Sequence, residues 1–150
     1  MTKIDLVTHI SAPPERCFDL ARDLDLHSRS MAHTGERAIA GRTSGLIELG
    51  EQVTWHARHF GFEFEHTSRI TAYDRPKHFR DSMVSGQFRT FEHDHFFQRD
   101  AGLTVMRDVL EFQAPLGPLG RIAEVAFLKR YLTQLLIHRN ATIKLEAENS

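Results

Sequence analysis

His93 and His95 stand one residue apart, with an aspartate before them at Asp81 and another after them at Asp108. On a strand, residues i and i+2 point the same way, so the two imidazoles share a face. A carboxylate beside an imidazole raises its pKa and fixes its orientation, as an acid–base pair needs. His95 and Asp108 are the candidate catalytic pair, with Asp81 and His93 beside them. The same four groups can instead hold a ligand oxygen, or tie strands together through buried His–Asp hydrogen bonds. Two histidines with a carboxylate also suit zinc or iron. His-x-His alone is a weak metal signal, however, and the helical His-Glu-x-x-His pattern is absent. No metal ligand is assigned and no cofactor is expected.

These residues act together only if the chain brings their strands side by side. Around Asp100-Ala101-Gly102, a two-residue loop would make facing positions sum to 203. Phe97 then meets Met106, His95 meets Asp108, His93 meets Leu110 and Phe91 meets Phe112. Around Phe60-Gly61, facing positions sum to 121, so Trp55 meets His66 and Ala57 meets Phe64. One face of that hairpin becomes Trp55, Ala57, His59, Phe62, Phe64, His66 and Ile70. The other carries Thr54, His56, Arg58, Glu63, Glu65, Thr67 and Arg69. A one-residue slip would scramble this split, so one buried face fixes the register.

Further strands are expected at Lys3–Ile10, Glu36–Thr43 and residues 78–85. Pro14 and Glu15 open a short helix, and a second is expected near Leu26–Met31. Gly117-Pro118 leads into a long helix over roughly Leu119–Glu146. Val125, Leu128, Leu132, Leu135 or Leu136, and Ile143 form its apolar stripe, widened by Phe127 and Tyr131. A bent antiparallel sheet with that helix across its concave face is the economical α+β arrangement, and the cleft between them is the default ligand site.

The chain has 150 residues, one ordinary domain spanning 1–150. Its formal net charge of −1 gives no electrostatic case for nucleic acid. A hydrophobic content of 41% argues against disorder. The single cysteine, Cys17, excludes an intramolecular disulfide and reads as a small core residue. No apolar run is long enough for a membrane span, and the first residues lack the layout of a signal peptide. A cytoplasmic location is expected; the oligomeric state stays unassigned.

The order of elements resembles the START-like, Bet v 1-like superfamily, also called SRPBCC or polyketide cyclase/dehydrase. The resemblance runs along essentially the whole chain. It is carried by Ile10-Ser11-Ala12-Pro13-Pro14-Glu15-Arg16-Cys17-Phe18 and by Tyr73-Asp74-Arg75-Pro76. More specific are Phe79-x-Asp81-x-Met83, Gly86-x-Phe88, His93-x-His95-x-Phe97, Gly102-x-Thr104-x-Met106-x-Asp108 and Ala114-Pro115-Leu116-Gly117-Pro118-Leu119-Gly120. These resemble a bacterial subfamily whose biochemical role is not settled. The resemblance implies a helix-grip fold, with seven antiparallel strands around a C-terminal helix enclosing a cavity. It also implies binding of a lipid, polyketide or quinone-like molecule, or in fewer members cyclisation or dehydration. No catalytic residue carries over from it.

The expected ligand-binding residues are Trp55, His59, Phe62, Phe64, His66, Asp81, Met83, Phe91, His93, His95, Phe97, Met106, Asp108, Leu128 and Leu132. About half of the phenylalanines Phe62, Phe64, Phe79, Phe91, Phe97 and Phe112 are expected to line the cavity, the rest being core. Three roles remain open for the chain: a binding protein for a small hydrophobic molecule, a cyclase or dehydratase using His95 with Asp108, and a regulatory module that holds a protein partner.

Overall fold

In the computed structural model, which describes residues 1–149, seven strands form one sheet. They are β1 (Thr2–Ile10), β2 (Arg37–Gly41), β3 (Gln52–His59), β4 (Phe62–Asp74), β5 (His78–Ser85), β6 (Thr90–Asp100) and β7 (Leu103–Gln113). Helices α1 (Pro14–Ala21) and α2 (Leu24–Ser30) follow β1. The C-terminal helix runs without a break through α3 (Gly117–Ala123), a π-turn (Glu124–Leu128) and α4 (Lys129–Glu148). The sheet order is β1-β7-β6-β5-β4-β3-β2, all antiparallel.

Two tight turns fix the register. Phe60-Gly61 and Ala101-Gly102 both take positive φ at both positions, 53° and 79° in the first, 50° and 83° in the second. Such primed turns match the twist of the flanking strands. Trp55 faces His66 and Ala57 faces Phe64. His95 faces Asp108, His93 faces Leu110 and Phe97 faces Met106. Both registers agree with the sequence expectation.

Pro14 occupies the first helical position of α1, and the Asp23 carboxylate caps α2 through the amides of Asp25 and Leu26. Phe18 on α1 is fully buried and meets Phe79, Phe97 and Tyr73 edge-on, with ring centroids 5.2–5.4 Å apart. This cluster locks the short helices to one end of the sheet. Cys17 is buried beside it, in keeping with a core role.

The C-terminal helix departs from its expected stripe. Val125 was expected to face the sheet but is 75% exposed, while Glu124 is buried. The π-turn inserts an extra residue into the helical repeat and rotates the preceding face outward. Glu124 instead meets Thr2 Oγ1 and accepts the Ala114 amide at 3.0 Å, tying the helix start to β1 and to the end of β7. Beyond the π-turn, Leu136, Ile143 and Ala147 face inward. The helix also begins earlier than expected, at Gly117, because Leu116 turns the chain in the left-handed region. β2 is shorter than the expected Glu36–Thr43.

Candidate functional site

Between the sheet and the C-terminal helix lies a cavity of about 510 Å³, within the range of small-molecule sites. Its apolar wall includes Trp55, Phe64, Phe91, Leu128, Leu132 and Leu136. Phe60 and Phe127 pack edge to face at 5.6 Å, are about half exposed, and also line it, so they stand at its mouth. His59, His66, Asp81, His93 and His95 face the same space.

Five residues expected at the ligand do not line this cavity. Phe62 is 69% exposed at the β3–β4 hairpin tip, where Phe60 and His59 take the contacts with the helix. Phe97 and Met106 are buried in the core beneath α1. Met83 lines a separate cavity of about 290 Å³. It still pairs with Ser68 of the main wall, so it keeps to the inner side of the sheet, and the bulge that leaves Val84 extra comes after it. Asp108 has no exposed surface and stands behind the histidines. Of the six phenylalanines weighed for the wall, Phe64, Phe79 and Phe91 line it.

The histidines and aspartates do cluster, with a different pairing from the expected one. His95 faces Asp108 across the strands, yet its short bond runs diagonally: Nε2 donates to Asp81 Oδ2 at 2.7 Å. His93 Nε2 donates to Asp108 Oδ1 at 2.8 Å, while His95 Nδ1 lies 3.5 Å from that oxygen. The two rings stack 3.8 Å apart, and Phe79 stacks on the other face of His95 at 4.0 Å. Each histidine thus bonds the aspartate that its neighbour faces: Asp81 faces His93 but bonds His95, and Asp108 faces His95 but bonds His93.

Behind the rings, the helix supplies Arg139 and Asn140, both buried. Asn140 Nδ2 donates to Asp108 Oδ2 at 2.7 Å. Arg139 donates to Asp108, to the Asn140 side chain, to the Ala21 carbonyl and to His95 Nδ1, at 3.0–3.4 Å. His95 therefore donates through Nε2 and accepts at Nδ1, the neutral tautomer. Burial pushes its pKa down to about 4, and His93 and Arg139 act the same way, outweighing Asp81. The expected upward shift from a carboxylate partner is overturned by this desolvation. Burial works to raise Asp81 and Asp108, but the bonds from His95 and His93 dominate and hold both carboxyls well below the usual range.

A second polar group lines the same cavity, and of its members only His59 is among the expected ligand-binding residues. His27 Nε2 and Glu36 Oε1 are 2.6 Å apart, and the His27 ring lies 4.5 Å from that of Trp55. His59 Nδ1 and the Tyr131 hydroxyl are 2.5 Å apart. Burial would raise Glu36, but His27 holds its carboxyl below the usual value. Burial lowers His59 and His66. Nothing local in the sequence marks Glu36. Arg139 and Asn140 did carry a signal, because they continue the helix spacing of Leu132, Leu136 and Ile143.

Asp81, His93 and His95 bring potential metal-ligating atoms within 4.8 Å of one another. Each Nε2 is already engaged by a carboxylate, and the Arg139 cation lies 3.4 Å from His95 Nδ1. The arrangement suits hydrogen bonding better than coordination.

Neither models of protein families nor the curated proteins give a match to the sequence. Solved structures do match along nearly the whole chain. A START superfamily protein from Mycobacterium smegmatis superposes with a TM-score of 0.72 at 12% identity, covering 98% of this chain and 97% of the other. The major latex-like protein 151 of Panax ginseng gives 0.71 at 14% identity, covering 97% of each. Protein TTHA0849 of Thermus thermophilus gives 0.67 at 20% identity, covering 97% and 93%.

This chain has the START/Bet v 1-like helix-grip fold.

The helix-grip fold accounts for the cavity's place, since the sheet curls round the C-terminal helix without closing on it. Likeness at these identities speaks for the fold and leaves the role of the site to its own chemistry. Among the described residues, no helix is long and apolar enough to cross a membrane.

Proposed function

We propose that the protein reversibly binds a small, largely apolar molecule between the sheet and the C-terminal helix. The observation that carries this reading is the cavity of about 510 Å³, apolar on most sides, with polar groups gathered at two places. A wall of Trp55, Phe64, Phe91, Leu128, Leu132 and Leu136 would drive binding by removing ligand surface from water, at roughly 25 cal/mol per Å². Trp55, His59, Phe64, His66, Asp81, Phe91, His93, His95, Leu128 and Leu132 are the proposed contacts. Asp108 acts indirectly, by orienting His93.

A second reading is acid–base chemistry on the bound molecule. It is favoured by His93, whose Nε2 is held by the buried Asp108 while the ring lines the cavity. An imidazole oriented by a carboxylate at one nitrogen is placed to exchange a proton at the other. The pair for that role is His93 with Asp108, in place of His95 with Asp108.

Native mass spectrometry of protein purified from its own host tests the binding reading. A co-purifying small molecule that disappears on denaturation is expected. Protein isolated only at its bare mass, with an apolar ligand panel also failing to bind, contradicts it.

A further inference from the structure

The wall of the cavity carries an unequal supply of hydrogen-bonding atoms. Asp81 uses Oδ2 for His95, leaving Oδ1 with no protein partner. Glu36 uses Oε1 for His27, leaving Oε2 likewise. His93 donates through Nε2, so its Nδ1 is a bare acceptor. None of these atoms is sealed in the packed interior: among the described residues, the Thr90 hydroxyl is the only unpartnered side-chain polar atom that is. His93 itself is 7% exposed and lines the cavity. Two carboxylate oxygens, which can only accept, and one imidazole nitrogen are therefore left without a protein partner on residues of the cavity wall.

The cations on the wall are committed elsewhere. Arg139 is spent on Asp108, Asn140, Ala21 and His95. Arg22 is held by Asp19 and the Ile47 carbonyl. The Asp23 carboxylate is used as a helix cap. His66 and Ser68 can act as donor or acceptor, and the Trp55 indole N–H is a donor. Gln87 and the His59–Tyr131 pair also line it and can donate or accept, so the groups that can only accept are the two carboxylates. They stand at different places: Asp81 lies on β5, and Glu36 immediately precedes β2, three strands away in the sheet order. His66, on β4 between them, feels the charge of both.

We infer that the cavity selects an elongated apolar molecule with hydrogen-bond donors at both ends, such as a diol, a bisphenol or a diamine. It discriminates against anions and against acceptor-only molecules such as quinones. The inference rests on the binding reading and narrows it. A ligand carboxylate would meet two carboxylates and no free cation. A quinone or ether would leave those buried acceptors unpaired, which costs more than the lost bond.

Trp55 is the only tryptophan and lines the cavity, so its fluorescence reports occupancy. The test compares 4,4′-biphenol, its dimethyl ether and biphenyl-4-carboxylate, which share one apolar body. Biphenol is expected to bind at least about tenfold more tightly than the ether, the smallest ratio for one bond to a charged acceptor. The carboxylate is expected to bind more weakly than either. Glu36→Gln and Asp81→Asn keep the side-chain shape and add an N–H donor. Each is expected to shrink the preference for biphenol over the ether. Glu36 makes a single side-chain bond, so Glu36→Gln carries the test if Asp81→Asn does not fold. Equal binding of biphenol and ether, or tightest binding of the carboxylate, overturns the inference and leaves the binding reading standing. No saturable response to any of the three overturns both.

Discussion

The cavity has two polar ends that differ in how they are held. At one, Asp81, His93, His95, Asp108, Arg139 and Asn140 bond to one another across β5, β6, β7 and the C-terminal helix. Asp108 alone takes bonds from three side chains and has no exposed surface. At the other, His27–Glu36 and His59–Tyr131 are separate two-membered contacts on half-buried side chains. The same residue types serve both ends, so chemistry alone does not separate them. The first end holds the fold together as well as facing a ligand. The second is nearly free to serve a ligand alone.

The largest effect that sharpens this contrast is expected from Asp108→Ala. It leaves Arg139 buried without its anion and frees the Asn140 amide. Breaking a buried pair this way costs about 3–5 kcal/mol. Urea unfolding measures it, and a loss below about 1 kcal/mol would show that the network is not structural.

Next comes the pH dependence. His95 is 3% exposed and its folded-state pKa is pushed down to about 4, against an ordinary value of 6.5. Above pH 6.5 both folded and unfolded chains hold it neutral, so stability is complete. Between pH 6.5 and 4 the unfolded chain takes up the proton first, so stability falls as pH falls. This group contributes a loss of about 3 kcal/mol over that window. The depressed Asp81 and Asp108 act only lower, as pH drops below their ordinary value of 3.8. Denaturation midpoints at pH 7 and pH 4.5 should lie further apart in the wild type than in His95→Phe, which keeps only the smaller contribution of the lowered His59 and His66. Parallel slopes in the two proteins would break the assignment.

At the other end, Glu36→Gln is expected to cost about 1 kcal/mol or less, because the amide oxygen can still accept from His27. Its visible effect should be on ligand choice. The smallest change is expected at the hairpin tip. Phe62→Ala should alter stability by no more than about 0.5 kcal/mol and leave ligand affinity unchanged, since Phe62 is exposed and off the cavity wall.

Period two made much of this legible before the fold was seen. Alternation through 53–71 and 88–113 placed Trp55 against His66 and His95 against Asp108, because a one-residue slip would turn the buried face outward. Parity assigns a side of the sheet, however, and not a depth. Phe97 and Met106 share the inner face with the histidines yet lie under α1, while Phe62 shares it with Phe64 yet overhangs the edge. Met83 keeps its side opposite Ser68 yet lines the other cavity, and Val125 is turned outward by a π-turn, an irregularity that spacing alone does not announce. Facing positions also failed to give the short bonds. His95 opposes Asp108 but bonds Asp81, because a long side chain reaches the diagonal neighbour as readily as the facing one. Glu36 had no sequence signal, since its role depends on α2 bringing His27 to it.

The central claim is that the cavity takes up an apolar molecule. Titration with N-phenyl-1-naphthylamine, a neutral probe that brightens in apolar surroundings, tests it most directly. The wild type should show a saturable one-site increase. Leu132→Trp, which fills the cavity from the helix side, should abolish that increase while keeping the far-ultraviolet dichroism of the fold. An increase that does not saturate, or one that survives intact in the filled variant, would contradict the account.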